Sequence, residues 1–169
     1  MPRFFVCVRM WGMKIAIISD THDNLVNLEK FLDLIKKENI AGIINCGDVT
    51  KLETLEFLVE NFAGWIKVAC GNAEINREDF KLLEKKYVKL EVFAEVGEWE
   101  KIAFTHKPEM AEKLALVEAE VGGLSKYSFV FYGHTHKPWI KELAGVLVAN
   151  PGTLGGVFMS PTFATLDLE

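Results

Sequence analysis

A chain of 169 residues is the size of one domain, since single domains run to roughly 100–150 residues and larger ones bury proportionally more surface. With 50% hydrophobic residues, 25% charged residues and a formal net charge of −5, it lacks the clustered Lys and Arg that grip a nucleic-acid backbone, so nucleic acid is not an expected partner. No apolar run approaches the ~20 residues of a membrane-spanning helix, and Cys7, Cys46 and Cys70, an odd set without CxxC spacing, argue against a disulfide framework or a thiolate zinc site and for a reducing cytoplasm.

Residues 1–12, MPRFFVCVRMWG, have neither the length nor the small-residue cleavage site of a signal peptide. They read as an N-terminal extension, a misplaced start or a loose arm, ahead of a single domain over 13–169. The domain opens with KIAIIS (14–19), a continuous apolar run of the kind buried on both faces of a sheet. The NLVNLEKFLDLIKKEN stretch behind it sets Leu25, Leu28, Phe31, Leu32 and Ile35 at helical spacing. AGIINCGD (41–48) and LETLEFLVENF repeat the strand and helix, and GWIKVACGN (64–72) supplies a third short strand. Buried strands joined by helices predict a parallel sheet with right-handed crossovers.

After Arg77 the rhythm changes. KLLEKKY predicts a polar helix, and VKLEVFAEVGEWEKIAFTH alternates around Gly97 as a hairpin does, which starts a second sheet. PEMAEKLALVEAEV (108–121) predicts a helix with Pro108 in its first turn and Gly122-Gly123 as its stop. SFVFYG, WIKEL, GVLVANPG and TFATLDL predict four more short strands. The expected fold is α/β, with two mixed sheets packed face to face and helices outside.

Each apolar run ends in residues able to hold a metal: SDTHDN with Asp20 and His22, CGDV with Asp48, CGNAE with Asn72, FTHKP with His106, and YGHTHKP with His134 and His136. The carboxyl ends of parallel strands share one edge of a sheet, so these residues are expected to meet. Residues i and i+2 of an extended segment point the same way, which pairs Asp20 with His22 and His134 with His136. Gly47, Gly71 and Gly133 precede candidate ligands and permit close backbone approach. All four histidines fall in these loops, and imidazoles with carboxylates suit a borderline divalent ion. Seven candidates exceed the needs of one ion and match two, ~3.5–4 Å apart and bridged by a carboxylate.

Plainer readings exist for each residue alone. A single histidine such as His106 is more often a satisfied polar or core residue, and Asp20, Asp48 and Asn72 each precede a helical or turn segment that they could cap. Cys46 and Cys70 read as small buried hydrophobes. The joint occurrence is what outweighs these readings.

DTH, GD, GN, TH and GHTH, in that order, resemble the calcineurin-like metallophosphoesterase superfamily, and more narrowly its small archaeal and bacterial phosphodiesterase branch. The likeness runs from Met13 to the C-terminus and includes NPGT and a short last strand. It implies a four-layer α/β-β/α sandwich and a metal-dependent phosphodiesterase acting on a small phosphodiester. It also implies two divalent ions, manganese first, with iron, nickel or zinc as alternatives. Motif by motif, Asp20, His22 and His136 would hold one ion and Asn72, His106 and His134 the other, with Asp48 bridging. A bridging water would attack phosphorus in line, and Asn72 and Asp48 would be the residues acting in catalysis.

Two departures stand out. Relatives often carry a histidine after GN, where this chain has Ala73, and often read HGH where it has His106-Lys107-Pro108. The chain also resembles the small retromer scaffold subunit, which acts by binding proteins, so a non-catalytic metal-binding or protein-interaction scaffold is the alternative expectation. Trp65, Trp99 and Trp139 are large enough to anchor a homo-oligomer interface.

Overall fold

A computed structural model of the chain describes residues 3–8, 13–73, 88–91, 93–96, 102–116 and 125–168. The first sheet grows from β2 (Lys14–Ile18), β3 (Ile40–Asn45) and β4 (Trp65–Ala69), joined by α1 (Leu25–Ile35) and α2 (Leu52–Asn61). All three strands are parallel neighbours, and β5 (Val88–Glu91) adds a fourth beside β4. The expected alternation of strand and helix is therefore observed through β4.

Ile15 and Ile17 join one buried cluster while Ala16 and Ile18 join another, as the two-residue period of a strand requires. The second cluster takes Leu28, Phe31, Leu32 and Ile35 of α1 and Leu55 and Leu58 of α2. Leu25, expected on that stripe, is 43% exposed, because it begins the first turn, where α1 has only started to lie against the sheet.

The second sheet begins at β6 (Phe93–Val96), so the VKLEVFAEV stretch is shared between the sheets: β5 closes the first and β6 opens the second. β6 pairs antiparallel with β7 (Ile102–Thr105), as the predicted hairpin demands, although its Gly97 turn lies outside the described residues. The KLLEKKY helix, Trp99 and the Gly122-Gly123 stop lie outside them too. α3 (Pro108–Leu116) leads to β8 (Phe129–Phe131), β9 (Trp139–Leu143) and β10 (Val146–Asn150), and the strand order is β6-β7-β8-β10-β9.

β11 (Phe163–Leu168) returns to the first sheet and lies antiparallel to β2. On its other side stands β1 (Arg3–Val8), parallel, in register from Arg3 opposite Phe163 to Val8 opposite Leu168. The segment expected as a loose arm thus supplies a strand. The physical reason is β11 itself, whose free edge is a row of unpaired amides and carbonyls that an aromatic and β-branched run such as RFFVCV satisfies.

Ile15, Ile17, Ile44 and Leu166 of one sheet pack against Ile102, Phe104, Phe129 and Phe131 of the other. Ala111, Leu114 and Ala115 of α3 cover the far face of the second sheet at Val130, Val146 and Val148. Helix, sheet, sheet, helix is the four-layer arrangement expected. It matters for function because β2, β3 and β4 of one sheet and β7 and β8 of the other end in the loops that carry the candidate residues.

Candidate metal centre

All seven expected residues meet at those strand ends, but not by the extended geometry that the i, i+2 spacing implied. Asp20, His22, Asp48, His134 and His136 have φ of 52°, 43°, 55°, 69° and 58°. The left-handed region is uncommon for residues with a Cβ and is held only where surroundings over-determine it. Here the surroundings are visible. Asp20 N donates to Gly47 O at 2.9 Å and His22 N to Asp48 O at 3.1 Å, which ties the β2 loop to the β3 loop. Gly133 lies so close to the β2 loop that a Cβ on it would sit 1.8 Å from Ser19 Oγ and 2.8 Å from Asp20 Oδ2.

Asp20 is fully buried and accepts from Ser19 Oγ at 2.6 Å and from His134 N at 3.0 Å. Its Oδ1 is 3.3 Å from His136 Nε2 and 4.0 Å from His22 Nε2, and the two imidazole nitrogens are 3.1 Å apart. Across the site, His106 Nε2 is 3.3 Å from Asp48 Oδ1, 3.0 Å from Asn72 Oδ1 and 3.2 Å from His134 Nδ1. Asp48 joins these groups: Oδ1 is on the His106 side and Oδ2 is 4.0 Å from His22 Nε2. Its Oδ1 also accepts from the backbone N–H of Asn72 and Ala73 at 2.8 and 3.0 Å.

Capping does not account for the two aspartates. Asn24 caps α1, accepting from Asn27 N at 3.1 Å, and α2 starts after Lys51. The capping role falls to Asp23, which accepts from Lys51 N and from the hydroxyls of Thr50 and Thr54 and sets a negative charge at the N-terminus of α2.

The donor set fits a divalent ion. His106 Nδ1 is 2.8 Å from Cys46 O and His136 Nδ1 is 3.0 Å from Val157 O. A carbonyl only accepts, so each Nδ1 carries the proton and each Nε2 turns a lone pair inward. Those lone pairs face carboxylate and amide oxygens across 3.0–3.3 Å, an arrangement that repels unless a proton or a metal cation lies between. Asp20, His22 and His136 present ligand atoms within 4.8 Å of one another, and so do Asp20, Asp48 and His106.

Burial sets the charge states. It pushes the Asp20 carboxyl up to about 7, against the Ser19 bond and the attraction of His136, which lower it. Burial likewise lowers His22 and His106, with Asp48 opposing in both. Lowered imidazoles stay neutral and free to coordinate.

Sequence reasoning missed the supports. Val157 O orients His136, Asn150 Nδ2 bonds Gly133 O at 2.7 Å and Thr135 Oγ1 at 3.0 Å, and Thr153 Oγ1 bonds Asp20 O at 2.9 Å. The available signal was NPGT, since Asn150 and Thr153 belong to it. Of the three tryptophans, Trp65 is partly buried against the core and Trp139 is 49% exposed. Among the described residues no helix is long and apolar enough to cross a membrane.

Comparison with known proteins identifies the family and the fold. A family profile described as the calcineurin-like phosphoesterase superfamily domain matches residues 13–169. The chain is 34% identical over 163 residues to phosphodiesterase MJ0936 of Methanocaldococcus jannaschii, an alignment covering 93% of this chain and 94% of that one. Among solved structures, a novel archaeal phosphodiesterase superposes with a TM-score of 0.77 at 34% identity, over 92% of this chain and 93% of that one. Vps29 of Chaetomium thermophilum shares the fold, with a TM-score of 0.70 at 18% identity over 94% of this chain and 83% of its own.

Proposed function

The chain belongs to the calcineurin-like phosphoesterase superfamily, and on that premise we propose that it is a phosphodiesterase whose centre takes two divalent ions, manganese first, with iron, nickel or zinc as alternatives. The observation that carries the reading is Asp48, whose two carboxylate oxygens turn to different histidine groups. Asp20, His22 and His136 would hold one ion and Asn72, His106 and His134 the other, with Asp48 between them. When bound, such a pair polarises phosphoryl oxygens and supplies, near neutral pH, a deprotonated water for in-line attack on phosphorus.

The chain's own residues prepare that chemistry. Asp20 and Asp48 are buried, so their charge is weakly screened and holds cations firmly in a chain that is otherwise acidic. The Cys46 and Val157 carbonyls keep the His106 and His136 lone pairs aimed inward. Asn72 sits where its amide can steady a phosphoryl oxygen as charge develops, and its own backbone N–H fixes Asp48. Ala73 contributes a backbone N–H to Asp48 and nothing that could give a proton to a leaving alkoxide.

The test is metal content and hydrolysis of an aryl phosphodiester, wild type against Asp48→Asn. Loss of the bridging charge should weaken both ions, and the rate should fall by at least about a hundredfold, more than outer partners of a metal site usually cost. Metal content that stays near two in this variant would refute the bridge. A wild type that binds metal and hydrolyses no phosphodiester would leave the scaffold alternative standing.

A further inference from the structure

Phe158 is 91% exposed, although it is among the largest apolar side chains of the protein, and its φ is 62°. The left-handed region is a genuine outlier for a bulky residue and is unfavourable there. Burial offsets none of this, because the ring packs on almost nothing. What the ring does lie beside is the candidate centre, with its centroid 5.8 Å from that of His136 and the planes inclined by 30°.

The segment that places it is fastened on several sides. Leu154 N donates to Ser19 O at 2.8 Å and Gly155 N to Asp20 O at 2.9 Å. Asn24 and Asn27 both donate side-chain N–H to Gly155 O, at 2.8 and 3.2 Å. The carbonyl of Val157, the residue before Phe158, is the one that orients His136. The same few residues thus aim a metal-type histidine inward and hold an aromatic ring outward beside it.

We propose that Phe158 is a specificity-determining residue, a stacking surface for an aromatic ring carried on an ester group of the substrate. The inference rests on the phosphodiesterase reading and narrows its substrate class to esters with a flat ring close to phosphorus, either an aryl group or a nucleobase. A ring approaching beside His136 covers Phe158, gains an offset or edge contact, and removes from water the apolar face that the fold leaves open. A purely alkyl ester gains only the smaller burial.

Binding to the metal-loaded full chain, measured by calorimetry, tests this without turnover. Phenylphosphonate is compared with methylphosphonate, and adenosine 5′-monophosphate with ribose 5-phosphate, so that the two arms separate an aryl source from a nucleobase. In at least one arm the ring-bearing ligand should bind about fivefold to tenfold more tightly in wild type, the range expected of one aromatic contact. Phe158→Ala should bring that ratio near one, with methylphosphonate affinity and metal content unchanged. Phe158→Leu, which keeps apolar bulk without a ring, should recover part of it, and Phe158→Trp should restore it. Equal binding within both pairs in wild type, or a preference that survives in Phe158→Ala, overturns the role of Phe158. Absence of binding by all four ligands overturns the phosphoesterase reading itself.

Discussion

His106 and His22 both direct Nε2 toward Asp48, yet the two halves of the centre hold them differently. His106 is 2% exposed, its Nδ1 bonded to Cys46 O, and a Cβ on Gly47 would lie 2.6 Å from that nitrogen. It has no room to turn. The side chain of His22 is 24% exposed, stands 4.0 Å rather than 3.3 Å from the Asp48 carboxylate, and is fixed chiefly through its backbone N–H to Asp48 O. His106 is closed in and preorganised and His22 is open toward solvent, but the residues grouped with them do not divide the same way, since Asn72 and His134 are exposed and Asp20 is fully buried. A site that must grip ions and still admit a substrate divides those demands among the side chains within each group.

The comparison sharpens first on the leaving group. Ala73 stands after Asn72 where a histidine could stand, and Lys107-Pro108 follows His106, so neither position offers an imidazole to protonate a departing alkoxide. General acid help is typically worth ~10²–10⁴-fold, and alkyl diesters should be slower than aryl diesters by a factor in that range. Rates across a series of substituted phenyl diesters should fall steeply as leaving-group pKa rises, and Ala73→His should flatten the slope. A shallow wild-type slope, with chemistry shown to limit the rate, would assign the proton to another group such as Lys107.

The next effect is smaller and bears on the two histidines directly. Removing His106 takes from the Cys46 carbonyl its histidine partner in a buried place and leaves Asp48 Oδ1 with only the backbone N–H groups of Asn72 and Ala73, whereas removing His22 opens a position that water can fill. His106→Ala should therefore weaken metal binding at least about tenfold more than His22→Ala, given that supports of metal ligands alone are worth 10–100-fold. Metal titrations that show equal losses would break the distinction between a closed-in His106 and an open His22.

Much of this was legible because chemistry and backbone were written in the same places. Glycine followed by Asp48, Asn72 or His134 at the end of an apolar run marks both a tight turn and a metal-type side chain, and the five motifs pointed to seven residues that the fold brings together. The route failed even so, since these residues converge through left-handed turns rather than along extended strands. Val157 could not be found from residue type, because it acts through a carbonyl that every residue possesses. β1 was missed because its partner β11 lies at the other end of the chain, and an edge strand's pairing is not encoded locally. The switch of sheets between β5 and β6 leaves no mark in the alternation either.

Asp20, grouped with His22 and His136, is fully buried, and its protonation reports how far that group depends on an ion. Burial raises its pKa to about 7, above the ~3.9 of an unfolded aspartate. The folded, metal-free protein therefore binds this proton more tightly than the unfolded chain, and the associated stability, complete below about pH 4, declines as pH rises to about 7. His22 and His106 are lowered by burial and act in the opposite sense below about pH 6.5, so the Asp20 contribution is isolated by difference. The metal-free Asp20→Asn variant should gain in melting temperature relative to wild type between about pH 5 and about pH 8. Metal should reverse the order at high pH, because an ion replaces the proton as the partner of the carboxylate in wild type. A difference that does not vary with pH would mean that Asp20 is not the group titrating.

Deleting residues 1–12 should have the smallest effect and serves as the control for both halves. β1 pairs only at the outer side of β11, while β11 meets β2 on its inner side and β2 runs into Asp20. Losing β1 uncovers one strand edge at a distance in sequence from every candidate ligand, and a loss of about 1 kcal/mol in a chain of this size lowers the melting temperature by about 2–4 °C. Metal content and the aryl-to-alkyl rate ratio should not change. The bare β11 edge should also raise the tendency to associate at high concentration, since exposed edges recruit strands. Equal melting temperatures for the truncated and full chains would show that β1 contributes nothing to the first sheet. Loss of metal on truncation would show the opposite, that strain at the outer edge reaches Asp20 through β11 and β2, and that the Asp20 group is held partly from the far side of the sheet.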